Sequence, residues 1–151
     1  MLDETDRRLL RALQKNALLT AQELGELLNL SPSQAGRRRQ RLEREGIFQG
    51  ARGQIDAEAL GLGVQAFIQV QMDSHSDDHA TSFQRDVLRR PEITAAFTLT
   101  GEADYLLRVY CADLSELHRL VQGVLLPHKA VARVQSQIVM DQLKADAPLP
   151  I

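Results

Sequence analysis

Hydrophobic residues change their spacing partway along the chain. Over residues 1–50 they recur at helical intervals: Leu9, Leu10 and Leu13 share one face, and Leu24, Leu27 and Leu28 share another. From residue 64 the period falls to two. Val64, Ala66, Ile68, Val70 and Met72 alternate with Gln65, Phe67, Gln69 and Gln71, the mark of a half-buried strand. Phe83, Val87 and Leu88 then stripe a helix that Pro91 ends. Ile93, Ala95, Phe97 and Leu99 fall in phase as a second strand, and Tyr105, Leu107, Val109 and Cys111 as a third. Leu117, Leu120, Val121, Val124 and Leu125 stripe a second helix, stopped before Pro127, and Val134, Ile138 and Met140 mark a last strand. This order, βαββαβ, predicts a ferredoxin-like domain. Right-handed crossovers place both helices on one face of an antiparallel sheet. The other face is then expected to carry Gln65, Phe67, Gln69, Thr98, Tyr110 and Gln135, too apolar to ignore and too polar for a core, so a partner sheet is expected there.

The first fifty residues are punctuated by helix caps. Asp3 or Thr5 can open a first helix, and Thr20-x-x-Glu23 forms a capping box, with Leu19 and Leu24 placed as a hydrophobic staple. Only Asn29 and Leu30 then precede Ser31, which caps a third helix with Pro32 at its first position and Gln34 completing the box. Asn tolerates the left-handed turn this requires, and Gly46 supplies the stop. Two helices joined so tightly predict a helix-turn-helix completed by the preceding helix, a three-helix, winged-helix-like module. The whole is α+β: residues 1–50 the helix-turn-helix, 51–63 a linker, 64–143 the ferredoxin-like domain and 144–151 a tail.

Charge gives the third helix its reading. It carries Arg37, Arg38, Arg39, Arg41 and Arg44, and a run of this kind either meets an anion or is a solvated face. Residues 1–52 hold 10 Lys/Arg against 7 Asp/Glu, and the remainder 8 against 13, so only the front suits a polyanion. In a helix-turn-helix the second helix enters the major groove by its N-terminal turns. Ser33, Gln34 and Arg37 are therefore the candidates for base edges, Gln suiting adenine and Arg guanine, while Arg41 and Arg44 are placed for phosphates. Ser31 and Arg38 complete the candidate DNA-binding set. Two residues fit awkwardly: Gly36 costs a helix interior about 1 kcal/mol relative to Ala, and Arg39 lies near the face to be buried, where its stem can pack while its head snorkels outward.

The remaining composition mostly excludes. No apolar run reaches the roughly 20 residues of a membrane span, and the N-terminus has no signal pattern, so a cytoplasmic protein is expected. A lone Cys111 forms no internal disulfide and reads as an inert buried thiol. His75 and His79, four apart among carboxylates, have metal-ligand spacing but read as a solvated loop entering a helix, so no metal or cofactor is expected. No nucleophile is paired with a base, and no enzyme is expected.

Taken together, the chain resembles the Lrp/AsnC family of bacterial and archaeal transcription regulators. The resemblance rests on Leu2-Asp3-x-x-Asp6-x-x-Leu9-Leu10-x-x-Leu13, Leu30-Ser31-Pro32, Arg38, Arg41-Leu42-Glu43, Gly46-Ile47 and Leu99-Thr100-Gly101-x-x-Asp104-Tyr105-Leu106-Leu107, spanning almost the whole chain. It implies double-stranded DNA as a partner, homodimers formed through the back module and often assembled into octamers, and a small amino-acid effector bound between dimers. It also implies control of amino-acid transport or metabolism genes and of the regulator's own gene. The family's effector loop corresponds here to Thr100, Gly101, Asp104 and Tyr105, with Ser136 reaching the same interface. A Gly turn exposes N–H groups to a carboxylate, and Asp104 can face an ammonium; a hairpin turn stabilised by its own residues is the competing reading. The chain departs from the family at Gly36, at Arg39 and at Pro127-His128-Lys129-Ala130-Val131. An amino-acid sensor acting on a protein partner without DNA binding is the alternative function.

Overall fold

Three capped helices open the chain. α1 (Glu4–Lys15) is capped by Asp3, α2 (Ala21–Leu28) by Thr20 and α3 (Pro32–Arg44) by Ser31, each with a reciprocal capping box. Asn29 ends α2 in the left-handed conformation at φ 56°, and the N–H of Leu30 bonds back to the carbonyl of Gly25 at 2.9 Å. α3 ends in a Schellman turn: Gly46 has φ +71°, Ile47 donates to Leu42 O at 2.9 Å and Gly46 to Glu43 O at 3.0 Å. Leu9, Leu13, Leu24, Leu28, Ala35 and Leu42 form the buried core between the helices. Leu27, expected in the α2 stripe, is exposed, and its carbonyl accepts from Arg8 at 3.1 Å.

The computed structural model describes residues 1–73 and 77–151, which form two units, Met1–Gln54 with Leu143–Ile151, and Ile55–Gln142. The stretch read as a C-terminal tail thus returns to the first unit. Gln14 pairs its amide with the backbone of Leu149, accepting from N–H at 2.5 Å and donating to O at 3.2 Å, and Arg11 donates to Ile151 O. Ile151 packs, half-buried, against the helical core.

The second unit is a four-stranded antiparallel sheet in the order β2-β3-β1-β4, from β1 (Val64–Met72), β2 (Ile93–Thr98), β3 (Tyr105–Cys111) and β4 (Val131–Ile138). α4 (Asp77–Leu88) and α5 (Leu114–Leu120) bury Phe83, Val87, Leu117 and Leu120 with Ala66, Ile68, Val70, Leu107 and Val109, so both helices cover one face. This is the ferredoxin-like arrangement, attached to a helix-turn-helix in an α+β chain. The His75–His79 spacing falls in part on residues outside those described. Among the described residues, no three His, Cys, Asp or Glu are grouped to hold a metal, and no helix is long and apolar enough to cross a membrane.

Five details of the strands and helices differ from expectation. A bulge between Ile93 and Ala95 reverses the phase of β2: Ile93 pairs with Val109 on the helix side, while Phe97 pairs with Leu106 on the open side. Thr98, expected on the open face, pairs with Tyr105 on the helix side. Leu88 is exposed, because five residues after Phe83 a helix has turned well off the buried stripe. β4 ends at Ile138, leaving Met140 outside the sheet and fully exposed. Finally, the second helical stripe is not one α-helix, since α5 widens into a π-turn over Val121–Leu125, closed by Leu126 N–H on Val121 O at 2.9 Å.

The two helix-interior glycines of the first unit are opposites. A Cβ on Gly25 would lie 2.8 Å from Leu30 O and 3.3 Å from Pro32 N, so the turn into α3 requires its absence. A Cβ on Gly36 would meet only Ala21 Cβ, at an ordinary 3.6 Å. Gly36→Ala is therefore expected to stabilise the protein by up to about 1 kcal/mol, the helix-propensity difference, and Gly25→Ala to destabilise it by about 1–3 kcal/mol through overpacking. Thermal melts of the two variants read both signs.

Candidate nucleic-acid interface and effector loop

The arginines of α3 divide by what holds them. Asp6, on the first turn of α1, is 1% exposed. Its Oδ2 accepts from Arg41 Nη2 at 2.6 Å and its Oδ1 from Arg38 Nη1 at 2.8 Å. Oδ2 also takes the backbone N–H of Asp3 at 3.1 Å, so one carboxylate both completes the capping box of α1 and ties α1 to α3. Burial pushes the Asp6 carboxyl up, but hydrogen bonds from Arg41, from the Asp3 backbone and from Arg38 together outweigh it and bring its pKa down to about 2. Both guanidiniums are stabilised in return, their pKa values raised above the ordinary arginine range, first by these hydrogen bonds.

Arg39 does not reach outward as a snorkelling side chain would. Its Nη1 donates to Leu19 O at 2.8 Å and its Nη2 to Ala17 O at 3.4 Å, its Nε meets Glu43 at 2.9 Å, and its guanidinium lies 5.6 Å from the centre of the Phe48 ring. It is a strut from α3 to the α1–α2 loop, satisfying two loop carbonyls past the end of α1 and packing over the Phe48 ring. Sequence reasoning missed this role; the only local signal was an arginine on the buried side of α3.

Arg37 and Arg44 remain exposed. Among the described residues, Arg37 hydrogen-bonds to Ser33 on its own helix, at 3.3 Å to Oγ and 3.4 Å to O, and Arg44 has no ion pair. Ser33 and Gln34 are exposed on the first turn of α3; Ser31 and Gln34 are also engaged in the cap, at 3.0 Å from Ser31 N–H to Gln34 Oε1. Gln34, Arg37, Arg38 and Arg41 line one concavity with Asp3 and Asp6. Of the residues read as DNA contacts, Ser31 caps α3 and the others lie on it, and among the described residues Ser33, Arg37 and Arg44 make no cap bond and no ion pair to another element.

In the second unit, Thr100, Gly101, Asp104 and Tyr105 lie in and just after one loop between β2 and β3. Gly101 has φ +111°, a conformation suited to glycine. The loop is closed by Asp104: its O accepts from Leu99 N–H at 2.8 Å, its N–H donates to Val70 O at 2.9 Å, and its Oδ2 accepts from Met72 N–H at 2.6 Å. The carboxylate read as an ammonium partner is thus turned onto the end of β1. Tyr105 faces the helix side, its ring 5.0 Å from that of Phe83 and its hydroxyl accepting from Gln84 at 3.3 Å. Ser136 is not brought to this loop; it pairs with Ile68 and sits exposed on the edge strand β4. Beside the loop on the open face, Gln69, Gln71, Glu102, Ala103, Arg133 and Gln135 line a small polar depression.

The acid sensitivity of the first unit follows from Asp6. A depressed carboxyl pKa contributes stability that is complete above the unfolded value near 4 and is lost as pH falls through the folded value of about 2. The shift corresponds to on the order of 2 kcal/mol. Denaturant melts between pH 5 and pH ~2 are expected to show this loss in the wild-type chain and to lack it in Asp6→Asn, which is less stable at neutral pH.

Comparison with known proteins agrees with both halves. Residues 2–43 match the family model for the AsnC-type helix-turn-helix domain, and residues 65–149 that for the Lrp/AsnC ligand binding domain. The chain is 34% identical over 151 residues to the DNA-binding transcriptional activator DecR of Escherichia coli K12, covering 100% of this chain and 99% of that protein. It is 32% identical over 150 residues to the glutamate uptake regulatory protein of Zymomonas mobilis, covering 99% and 91%. A transcriptional regulator from Neisseria meningitidis, solved as a complex with L-Met, superposes with a TM-score of 0.92 at 38% identity, covering 99% of this chain and 97% of that one. A structure-forming pattern of caps, a helix-turn-helix and a ferredoxin-like sheet, matched over nearly its full length, leaves one assignment: the chain belongs to the Lrp/AsnC family of transcriptional regulators, a family of regulators and not of enzymes.

Proposed function

We propose that this chain is a sequence-specific DNA-binding regulator whose DNA binding or assembly responds to a small amino acid. The observation that carries the reading is α3, a capped helix presenting Ser33, Gln34 and Arg37 from its N-terminal turns. That is the part of a recognition helix that meets base edges in the major groove. Ser33, Gln34 and Arg37 are its base readers. Arg44 neutralises a phosphate, and Arg38 and Arg41, aimed by Asp6, stand beside the backbone with Ser31 at the helix N-terminus. Arg41→Ala alone is a poor probe of DNA contact, because it also uncovers Asp6.

Three further elements belong to this reading. The open face of the sheet, with Phe67, Phe97, Leu106 and Tyr110 among glutamines, is covered by the same face of a second copy, and the dimers assemble further toward an octamer. Paired recognition helices then read half-sites about one DNA turn apart. The effector is received at Thr100, Gly101 and Tyr105, with Asp104 holding the loop in shape and Ser136 joining only across an assembly interface. A relative solved with L-Met and another named for glutamate uptake support an amino acid as effector and amino-acid transport or metabolism genes as targets; the chain's own gene as a further target and a cytoplasmic location belong to the same proposal.

Footprinting on the chain's own upstream region, with each common amino acid added in turn, tests the whole. Protection that weakens steeply with salt, by roughly 0.9 in log K per log salt for each phosphate contacted, is expected. Arg44→Ala is expected to weaken binding and flatten that slope with stability unchanged. Arg39→Ala is expected to lower stability by about 1–2 kcal/mol through its lost carbonyl bonds, with the salt slope unchanged. Binding insensitive to salt would return the reading to a sensor that acts on a protein partner. For assembly, Phe67→Glu places a charge at the centre of the open face while leaving the helix-side core intact, and sedimentation is expected to report a folded monomer; a persisting dimer would move the interface elsewhere.

A further inference from the structure

Arg38 is held by two carboxylates that do different work. Its Nη1 lies 2.8 Å from Oδ1 of the buried Asp6 and 2.7 Å from Oδ2 of Asp3, whose side chain is 52% exposed. Asp3 divides its oxygens: Oδ1 takes the Asp6 backbone N–H at 2.7 Å and caps α1, while Oδ2 faces Arg38. The cap needs an acceptor and not a charge, as Thr20 and Ser31 show on α2 and α3. The negative charge of Asp3 is thus not required by the capping hydrogen bond, although it interacts favourably with the N-terminus of α1. Hydrogen bonding from Arg38, more than any other contact, holds the Asp3 carboxyl below its ordinary range, so it is ionised at neutral pH.

That charge sits in an unexpected place. Asp3 lines the same concavity as Gln34, Arg37, Arg38 and Arg41, along the part of α3 assigned to DNA. A carboxylate there opposes an approaching polyanion. It also occupies an N–H of Arg38 Nη1, the nitrogen that bonds Asp6 as well, and a phosphate oxygen accepts from such a donor as a carboxylate oxygen does. Arg38 has Asp6 to keep it in position when the outer partner leaves, and an exposed ion pair contributes little to the fold.

Resting on the DNA-binding reading, we propose that Asp3 occupies on Arg38 the place of a DNA backbone phosphate, and that binding exchanges this carboxylate for a phosphate oxygen while Asp6 keeps the guanidinium aimed. Asp3 is then a positioning residue that keeps Arg38 folded in when DNA is absent and lowers affinity for any duplex equally. The exchange is local, involving one arginine and one exposed carboxylate, and it is independent of base sequence.

The test is fluorescence anisotropy of the full chain on a short mixed-sequence duplex at several salt concentrations. The variants are Asp3→Asn, Asp3→Ser, Arg38→Gln and the two double substitutions; both Asn and Ser can cap α1, so thermal melts are expected to show the fold retained. Glu4→Gln, which removes a neighbouring exposed carboxylate paired with Arg11 and not with Arg38, reports the gain expected from net charge alone. Asp3→Asn and Asp3→Ser are expected to bind about twofold to fivefold tighter than wild type at low salt, the upper part of the range of an exposed ion pair. That gain is expected to exceed the Glu4→Gln control and to shrink to it in the Arg38→Gln background. A gain no larger than the control, or one that survives without Arg38, overturns the exchange while leaving the DNA reading intact. A wild-type chain that binds no duplex overturns the DNA reading and this inference together.

Discussion

The buried carboxylate of Asp6 is the interaction on which the first unit depends. A lone buried aspartate is costly, and this one is made stable by two guanidiniums and a backbone N–H. The consequence is directional. Leucine faces packed between helices tolerate small rotations because hydrophobic burial has no preferred angle. An arginine bonded at 2.6 Å to a fixed carboxylate oxygen does not. The rotation and register of α3 against α1 are therefore set by charge, within a core that apolar contacts close.

The same cluster changes what the basic helix offers to DNA. Five arginines on α3 suggest a strongly positive rod, yet two are neutralised by Asp6 and Asp3 and a third is spent on loop carbonyls. Arg37 and Arg44 carry most of the unpaired charge of the helix. The charge this helix leaves unpaired for any polyanion is thus smaller than its composition suggests. Such a balance suits a regulator that must distinguish sites rather than coat a duplex.

The second unit is built on a comparable carboxylate. Asp104 ties the loop after β2 to the end of β1 through its backbone and its side chain, so the loop's shape is coupled to the central strand of the sheet. An aspartate used this way is structural in the chain alone: its side chain is spent on Met72 N–H, at the end of β1. The sheet it anchors is covered by helices on one face only, and the bulge in β2 adds Phe97 to the uncovered side. A one-sided sheet of this kind leaves aromatic side chains on its open face, and apolar surface so placed favours contact with another apolar surface.

What the amino-acid sequence determined by itself was local. Caps at Asp3, Thr20 and Ser31, the left-handed Asn29, the stop at Gly46 and the alternation of β1 and β3 depend on residues within a few positions of each other, and those are legible from spacing. Only tertiary structure decided the rest. Asp6 finds Arg41 35 residues away, Arg39 finds Leu19 O 20 residues away, and Gln14 finds Leu149 135 residues away. No periodicity encodes such pairs. The phase of β2 also escaped, because a single bulged residue exchanges the two faces of a strand whose side chains repeat every second position. The sequence could say that α3 was basic and capped; which of its arginines were free was decided by the partners that the fold brought to them.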